Sequence, residues 1–295
     1  MFTKLTDTTK AAIFAVLVLC MAVGAALLIR MLEIPPGFAM FAVWMSTPAL
    51  AALIMLLVVT RDGYSREGWK SLGLHRLGLN VWWIAFGVTL LIIIAATAVV
   101  WATPLASFVL PEDGIAGPIS GFLIFFLIET LTFSLGEEIG MRGYLQPHLM
   151  SLGRTRALLV VGLLWATWHM PLLFLTPALP VGNKLIGVPL FYGTIVAGSF
   201  YIGYLRIYSG SLWPSSIAHS VINASVGPLT LFTATSYPVL VNFYLLGGNG
   251  ILILIGTVLG AIGLGYYLRS GMNKAQSDGA APALTAAPAA TVASR

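Results

Sequence analysis

Glu137 and Glu138 are adjacent carboxylates, and Arg142 follows one helical turn after Glu138. They close a run that otherwise reads Phe122, Leu123, Ile124, Phe125, Phe126, Leu127, Ile128. A charged residue within a membrane span costs about 2.5–3.5 kcal/mol on insertion scales, so its first reading is functional. Two histidines, His169 and His219, lie in two other apolar segments, and Asn223 follows His219 by four residues. An acid, a candidate base and polar partners on three separate segments are what a hydrolytic site inside a membrane requires.

Helical spacing divides the labour among these residues. Glu138 and Arg142 stand at i and i+4 and face each other as an ion pair. Glu137 is rotated by about 100° from Glu138, which leaves it to face the bundle interior. Trp165 and His169 share a face of the next segment, and Pro171 frees a backbone carbonyl beside them. His219 and Asn223 share a face of a later one. Each set has a plain structural alternative: interfacial charges at a span end, or polar side chains bonding between helices. Their joint occurrence at similar depth is what favours a site. Glu129, about two turns before Glu137, reads as a structural or proton-relay carboxylate. His75 and His148 fall in segments between spans and carry no expected role.

The elements that hold these residues are membrane spans. The chain has 295 residues, of which 58% are hydrophobic and 8% charged, with a mean hydropathy of +0.94. So few charges cannot cover a soluble domain of this size. Basic residues are scattered among loops, so the net charge of +5 gives no support for nucleic-acid binding. The single cysteine, Cys20, excludes an intramolecular disulfide and any Cys-based zinc motif.

Eight stretches approach the roughly 20 apolar residues a span needs: 11–29, 38–60, 81–103, 117–139, 157–176, 185–205, 213–235 and 249–268. The first exceeds a signal-peptide core and is read as a retained helix. The fold class is therefore all-α, a polytopic transmembrane bundle of about eight spans. With the N-terminus inside, Lys4, Lys10, Arg61, Arg66, Lys70, Arg76, Arg142, Arg154, Arg156, Arg206, Arg269, Lys274 and Arg295 fall on the cytoplasmic side, against Arg30 and Lys184 outside. Both termini are thus expected in the cytoplasm. The chain divides into N-terminal spans over 1–114 with a cytoplasmic loop at 61–80, a polar core over 115–235, a last span within 236–270, and an Ala/Pro-rich tail over 271–295 expected to be disordered. The loop at 61–80, with Trp69 and Leu72, is expected to lie along the inner interface.

Three motifs together carry a family resemblance. Glu137-Glu138-Ile139-Gly140-Met141-Arg142, Trp165-Ala166-Thr167-Trp168-His169 and His219-Ser220-Val221-Ile222-Asn223 resemble, in order, those of the CPBP family of intramembrane proteases. That family includes the eukaryotic type II CAAX prenyl endopeptidases and many bacterial relatives. The likeness covers roughly residues 115–230, and one position departs from it: Trp165 stands where the family usually has Phe. The resemblance implies endopeptidase hydrolysis of a membrane-associated protein or peptide. Glu137 would activate water with His169, His219 and Asn223 would stabilise the oxyanion, and Glu138, Arg142 and Trp165 would support them.

No cofactor is implied outright, although zinc stays open, with Glu137, His169 and His219 as its ligands. HExxH is absent, and the family has been described both as glutamate proteases and as metalloproteases. A non-catalytic scaffold or regulator on the same fold is the main competitor. A proton-coupled transporter is the weaker one, because no repeat or broken-helix pair is visible. The expected setting is a bacterial inner membrane, with the lipid bilayer as partner, no nucleic acid, and the site toward the cytoplasm.

Overall fold

The computed structural model describes residues 5–248 and 250–277. Its framework is helical: α1 Asp7–Met31, α2 Phe38–Val59, α3 Leu79–Trp101, α4 Ala116–Leu152, α5 Arg154–Leu175, α6 Lys184–Ser209, α7 Trp213–Leu231 and α8 Ile251–Ser277. Among the described residues, seven of these helices are long and apolar enough to cross a membrane. The one outside that set is α7. Its apolar content is diluted by Ser215, Ser216, His219 and Ser220, all buried inside the bundle. Ser216 donates to the Thr130 carbonyl at 2.8 Å and Ser215 to the Ile202 carbonyl at 3.3 Å. A helix that faces protein rather than lipid can carry such residues because each finds a partner. Elsewhere, Val16, Leu91, Ile124, Leu163 and Ile262 point outward, as a lipid-facing belt requires.

Two ends of the bundle are distinct. At one, Lys10 pairs with Asp62 at 2.8 Å, and the Leu212 amide donates to the Gly73 carbonyl at 3.1 Å. Ser211 donates to the Arg76 carbonyl there at 2.6 Å, and Tyr208 meets Tyr267 with ring centroids 5.4 Å apart. The basic residues Lys10, Arg61, Arg66, Lys70, Arg76 and Arg206 belong to the elements of this end. At the other, Ser107–Phe108 pairs antiparallel with Thr233–Ala234, and the Asn183 amide donates to the Tyr244 hydroxyl at 2.6 Å.

Two helix ends differ from those expected, and the loop after α2 takes a definite form. It forms a short helix, Arg66–Ser71, and inserts Leu72 with 1% exposure beneath the bundle. In addition, α4 does not stop at 139. It continues to Leu152 over 37 residues, about 55 Å at 1.5 Å per residue against an apolar core of about 30 Å. Finally, α8 reaches Ser277; the rest of the expected tail, residues 278–295, lies outside the described residues.

Candidate active site

Glycine sets the position of α4. Gly136 and Gly140 present bare backbone to α2 one turn apart. A Cβ on Gly136 would lie 2.8 Å from the Met45 carbonyl oxygen, and one on Gly140 would lie 2.5 Å from Pro48 Cβ. Small residues at that spacing let two helices approach closely. The helix is locally widened on both sides of the two carboxylates, with π-helical turns at Glu129–Phe133 and Ile139–Leu145. Such turns recur at functional sites because they re-aim side chains without ending the helix.

The charges that follow are interior. Glu137 is 2% exposed, and Glu138 and Arg142 are both 0% exposed, so they do not mark the wet end of a span. Glu138 acts as a hub. Its Oε1 accepts from Arg142 Nη1 at 3.0 Å and from His219 Nδ1 at 2.9 Å. The Arg142 guanidinium also lies 4.0 Å from the centre of the Trp165 ring. A buried pair of this kind holds its geometry because either charge alone would be strongly disfavoured.

Trp165 then links this pair to the other carboxylate. Its Nε1 donates to Glu137 Oε2 at 2.8 Å, and its ring meets His219 edge-on at 5.2 Å. Sequence reasoning treats Trp165 as aromatic packing and misses this hydrogen bond. The departure from the family's usual Phe was the available signal, since indole adds one donor.

His169 bonds one turn back along α5, with Nδ1 donating to the Trp165 carbonyl at 2.8 Å. A carbonyl only accepts, so the proton sits on Nδ1, and Nε2 keeps a lone pair when the ring is neutral. Phe191 and Trp168 clamp the ring, with centroids 5.1 and 4.6 Å away. Trp168 is itself fixed by donating to Thr47 Oγ1 at 3.0 Å. On α7, Asn223 Nδ2 donates to Glu129 Oε2 at 3.1 Å, and Ser134 Oγ donates to the same oxygen at 2.5 Å. Ser134 was not foreseen; nothing in its spacing to Glu129 distinguishes it from an ordinary helix serine.

Glu129, Glu137, Trp165, His169, His219 and Asn223 line one cavity of about 430 Å³. Glu138 and Arg142 stand behind its wall. The rest of the lining is largely apolar, including Phe41, Trp44, Leu172 and Phe191. From the carboxylates the cavity runs past Leu179 and Pro180, after α5, to Gly247 and Gly248, before α8. The sequence reading expects a pocket toward the basic end of the bundle; the lining runs toward the other end.

Among the described residues, no three His, Cys, Asp or Glu side chains form a metal-ligand group. The alternative set Glu137, His169 and His219 has Nδ1 of both histidines committed, one to a carbonyl and one to Glu138. That leaves Nε2 of each ring as the nitrogen available to a water, a substrate or a metal.

Residues 119–225 match the family model described as Type II CAAX prenyl endopeptidase Rce1-like. No curated protein matches the chain. The family resemblance read from the motifs therefore holds over the segment that carries all three.

Proposed function

We propose that the cavity is the catalytic chamber of an intramembrane endopeptidase of the CAAX-protease type, acting on a membrane-associated protein or peptide. The observation that carries this reading is the convergence of Glu137, His169, His219 and Asn223 on one cavity within an otherwise apolar bundle. Four polar groups from three helices have no packing reason to line the same space.

Glu137 acts as general base. It takes a proton from water while the water oxygen bonds to the scissile carbonyl carbon. The Nε2 lone pair of His169 accepts from that water and holds it in line. The carbonyl oxygen becomes an oxyanion, which Asn223 meets with an amide proton. Donors of this kind contribute about 2.7–4 kcal/mol to the transition state. His219 donates from Nε2 only when both its nitrogens carry protons, because Nδ1 is held by the Glu138 carboxylate. The carbon–nitrogen bond then breaks, and the proton on Glu137 passes to the leaving amine. Arg142 balances Glu138, so the Glu137 carboxylate that takes the proton sits beside a neutralised pair.

The mechanism is read as glutamate-driven and metal-free, in an integral membrane protein of a bacterial inner membrane. N-terminal peptide profiling of host membranes tests it, comparing wild type with Glu137→Gln at matched expression, with and without a membrane-permeant zinc chelator. Products that vanish in the variant and persist with the chelator are the expected result. Identical profiles in both strains would sink the protease reading in favour of a scaffold, and chelator sensitivity would sink the metal-free one.

A further inference from the structure

We propose that the basic end of the bundle holds a phosphate anion, carried by a phospholipid headgroup, between Arg206 in the last turn of α6 and Arg76 in the loop of residues 61–80. The assignment does not depend on the protease reading.

The loop is docked on the α6–α7 turn through its backbone. The Leu212 amide donates to the Gly73 carbonyl at 3.1 Å, Trp213 Nε1 to the Leu74 carbonyl at 3.1 Å, and Ser211 Oγ to the Arg76 carbonyl at 2.6 Å. Arg206 is caught in this contact. Its Nη2 donates to the Ser71 carbonyl at 2.9 Å, and its guanidinium lies against Gly73, where an added Cβ would come within 2.7 Å of Cζ. Gly73 has a φ of +81°, so glycine serves there twice, for the turn and for the close approach. Arg76 reaches the same turn from the other side: a Cβ on Gly210 would stand 3.3 Å from its Nη1.

The contact therefore brings two cations together. Arginine stays protonated in proteins, so the two guanidiniums repel each other. Arg76 is the charged group that acts on Arg206, and among the described residues no carboxylate pairs with either. Other basic residues are answered: Lys10 by Asp62, Arg142 by Glu138, and Lys184 by the Phe174 ring. Arg206 Nε is buried without a hydrogen-bond partner, so this cation has given up water for a single carbonyl. A desolvated charge beside a like charge is unfavourable until a counterion joins it. The hydrogen bonds of the turn stop the two arginines from moving apart without undoing the dock.

Phosphate suits the pair, because each planar guanidinium offers parallel N–H groups to two oxygens. Its source follows from depth. Trp82, Trp83, Tyr266 and Tyr267 are exposed at this end of the bundle, and such rings sit at the level of lipid headgroups. Trp82 Nε1 donates to the carbonyl of Leu77, the residue after Arg76, at 2.7 Å. Arg76 thus leaves the protein where lipid phosphates lie, in the leaflet where basic segments meet anionic lipid.

Thermal unfolding of the full chain in an uncharged detergent tests this. Phosphatidylglycerol, phosphatidylcholine and inorganic phosphate are added separately, at matched ionic strength, to wild type, Arg76→Gln and Arg66→Gln. Arg66 is an exposed arginine of the same loop and controls for charge alone. Phosphatidylglycerol is expected to raise the midpoint of wild type and of Arg66→Gln by about 5 °C near saturation, and to leave Arg76→Gln unmoved. Phosphatidylcholine, whose phosphate is balanced by its own ammonium, is expected to move none of them. Without lipid, Arg76→Gln is expected to be no less stable than wild type, because it relieves the repulsion; an arginine that only packs would lower stability when removed, and that result overturns the proposal. Inorganic phosphate separates the sources. A rise given by the lipid alone supports a headgroup, whereas an equal rise with phosphate, absent from Arg76→Gln, overturns the lipid assignment and supports the anion site. No rise with either anion, a rise that Arg76→Gln keeps, or one that Arg66→Gln loses as fully, overturns the site.

Discussion

Trp165 on α5 donates its indole proton to Glu137 on α4, Nε1 to Oε2, at 2.8 Å. The same ring supports the Arg142 guanidinium at 4.0 Å and meets His219 edge-on. One side chain therefore fixes the carboxylate proposed as base and touches the pair that balances it. Trp165→Phe keeps the ring contacts and removes only the donor. A hydrogen bond to a charged group contributes about 1.5–3 kcal/mol, so turnover is expected to fall about 10- to 100-fold with little change in thermal stability. Reporter cleavage beside a melting curve in detergent checks this. Unchanged turnover would mean the bond does not act on the reaction.

The buried pair gives a stability prediction. Arg142→Met leaves Glu138 charged and enclosed, with His219 as its remaining hydrogen-bond partner. Breaking one side of such a pair costs about 3–5 kcal/mol. The double variant Glu138→Gln with Arg142→Met removes both charges and is expected to recover part of that loss. Thermal unfolding of the purified protein in detergent reads both effects. If the double variant is no more stable than the single one, the loss comes from arginine packing and not from the uncompensated charge.

Helix approach is tested at Gly140. A Cβ there meets Pro48 from side chain to backbone, at 2.5 Å for Cβ and 2.6 Å for the carbonyl oxygen. Neither atom is the free end of a flexible chain. Gly140→Val is expected to prevent folding or to displace α4, and so to remove all activity. Gly121→Ala on the same helix has nothing within 4 Å of the new methyl and is expected to be silent. Expression yield and monodispersity after extraction separate the two.

What the sequence reveals and what it hides divide along physical lines. Apolar runs mark lipid-facing helices directly, so six of the seven membrane-length helices among the described residues reappear close to their expected ends, and α4 alone overruns its own. The pairing of Glu138 with Arg142 is also legible, because one helical turn fixes it without knowledge of any neighbour. The contacts of Trp165 with Glu137 and of His219 with Glu138 join residues 28 and 81 positions apart, and no local period encodes them. The length of α4 was hidden for a different reason. Past residue 139 it runs through Gly140, Arg142 and Gly143, residues that read as a span end although here they are enclosed by the loop of residues 61–80 and by α2. The direction of the cavity was hidden too, since hydropathy locates spans but is silent on which end of a polar core stays open.

The last prediction concerns Asn223. Its amide nitrogen is anchored by Glu129, which also accepts from Ser134, so one carboxylate oxygen holds two donors from two helices. An amide carries two N–H groups, and anchoring one aims the other at the cavity that Asn223 lines. Asn223→Ala removes the oxyanion donor and is expected to lower turnover by about 100- to 1,000-fold. Glu129→Gln leaves the donor in place but loosens its aim, so a smaller loss is expected, in kcat and not in KM. A purely structural Glu129 would instead lower stability and leave kcat per folded molecule unchanged. Titrating active protein in each preparation, and dividing turnover by that amount, tells the two roles apart.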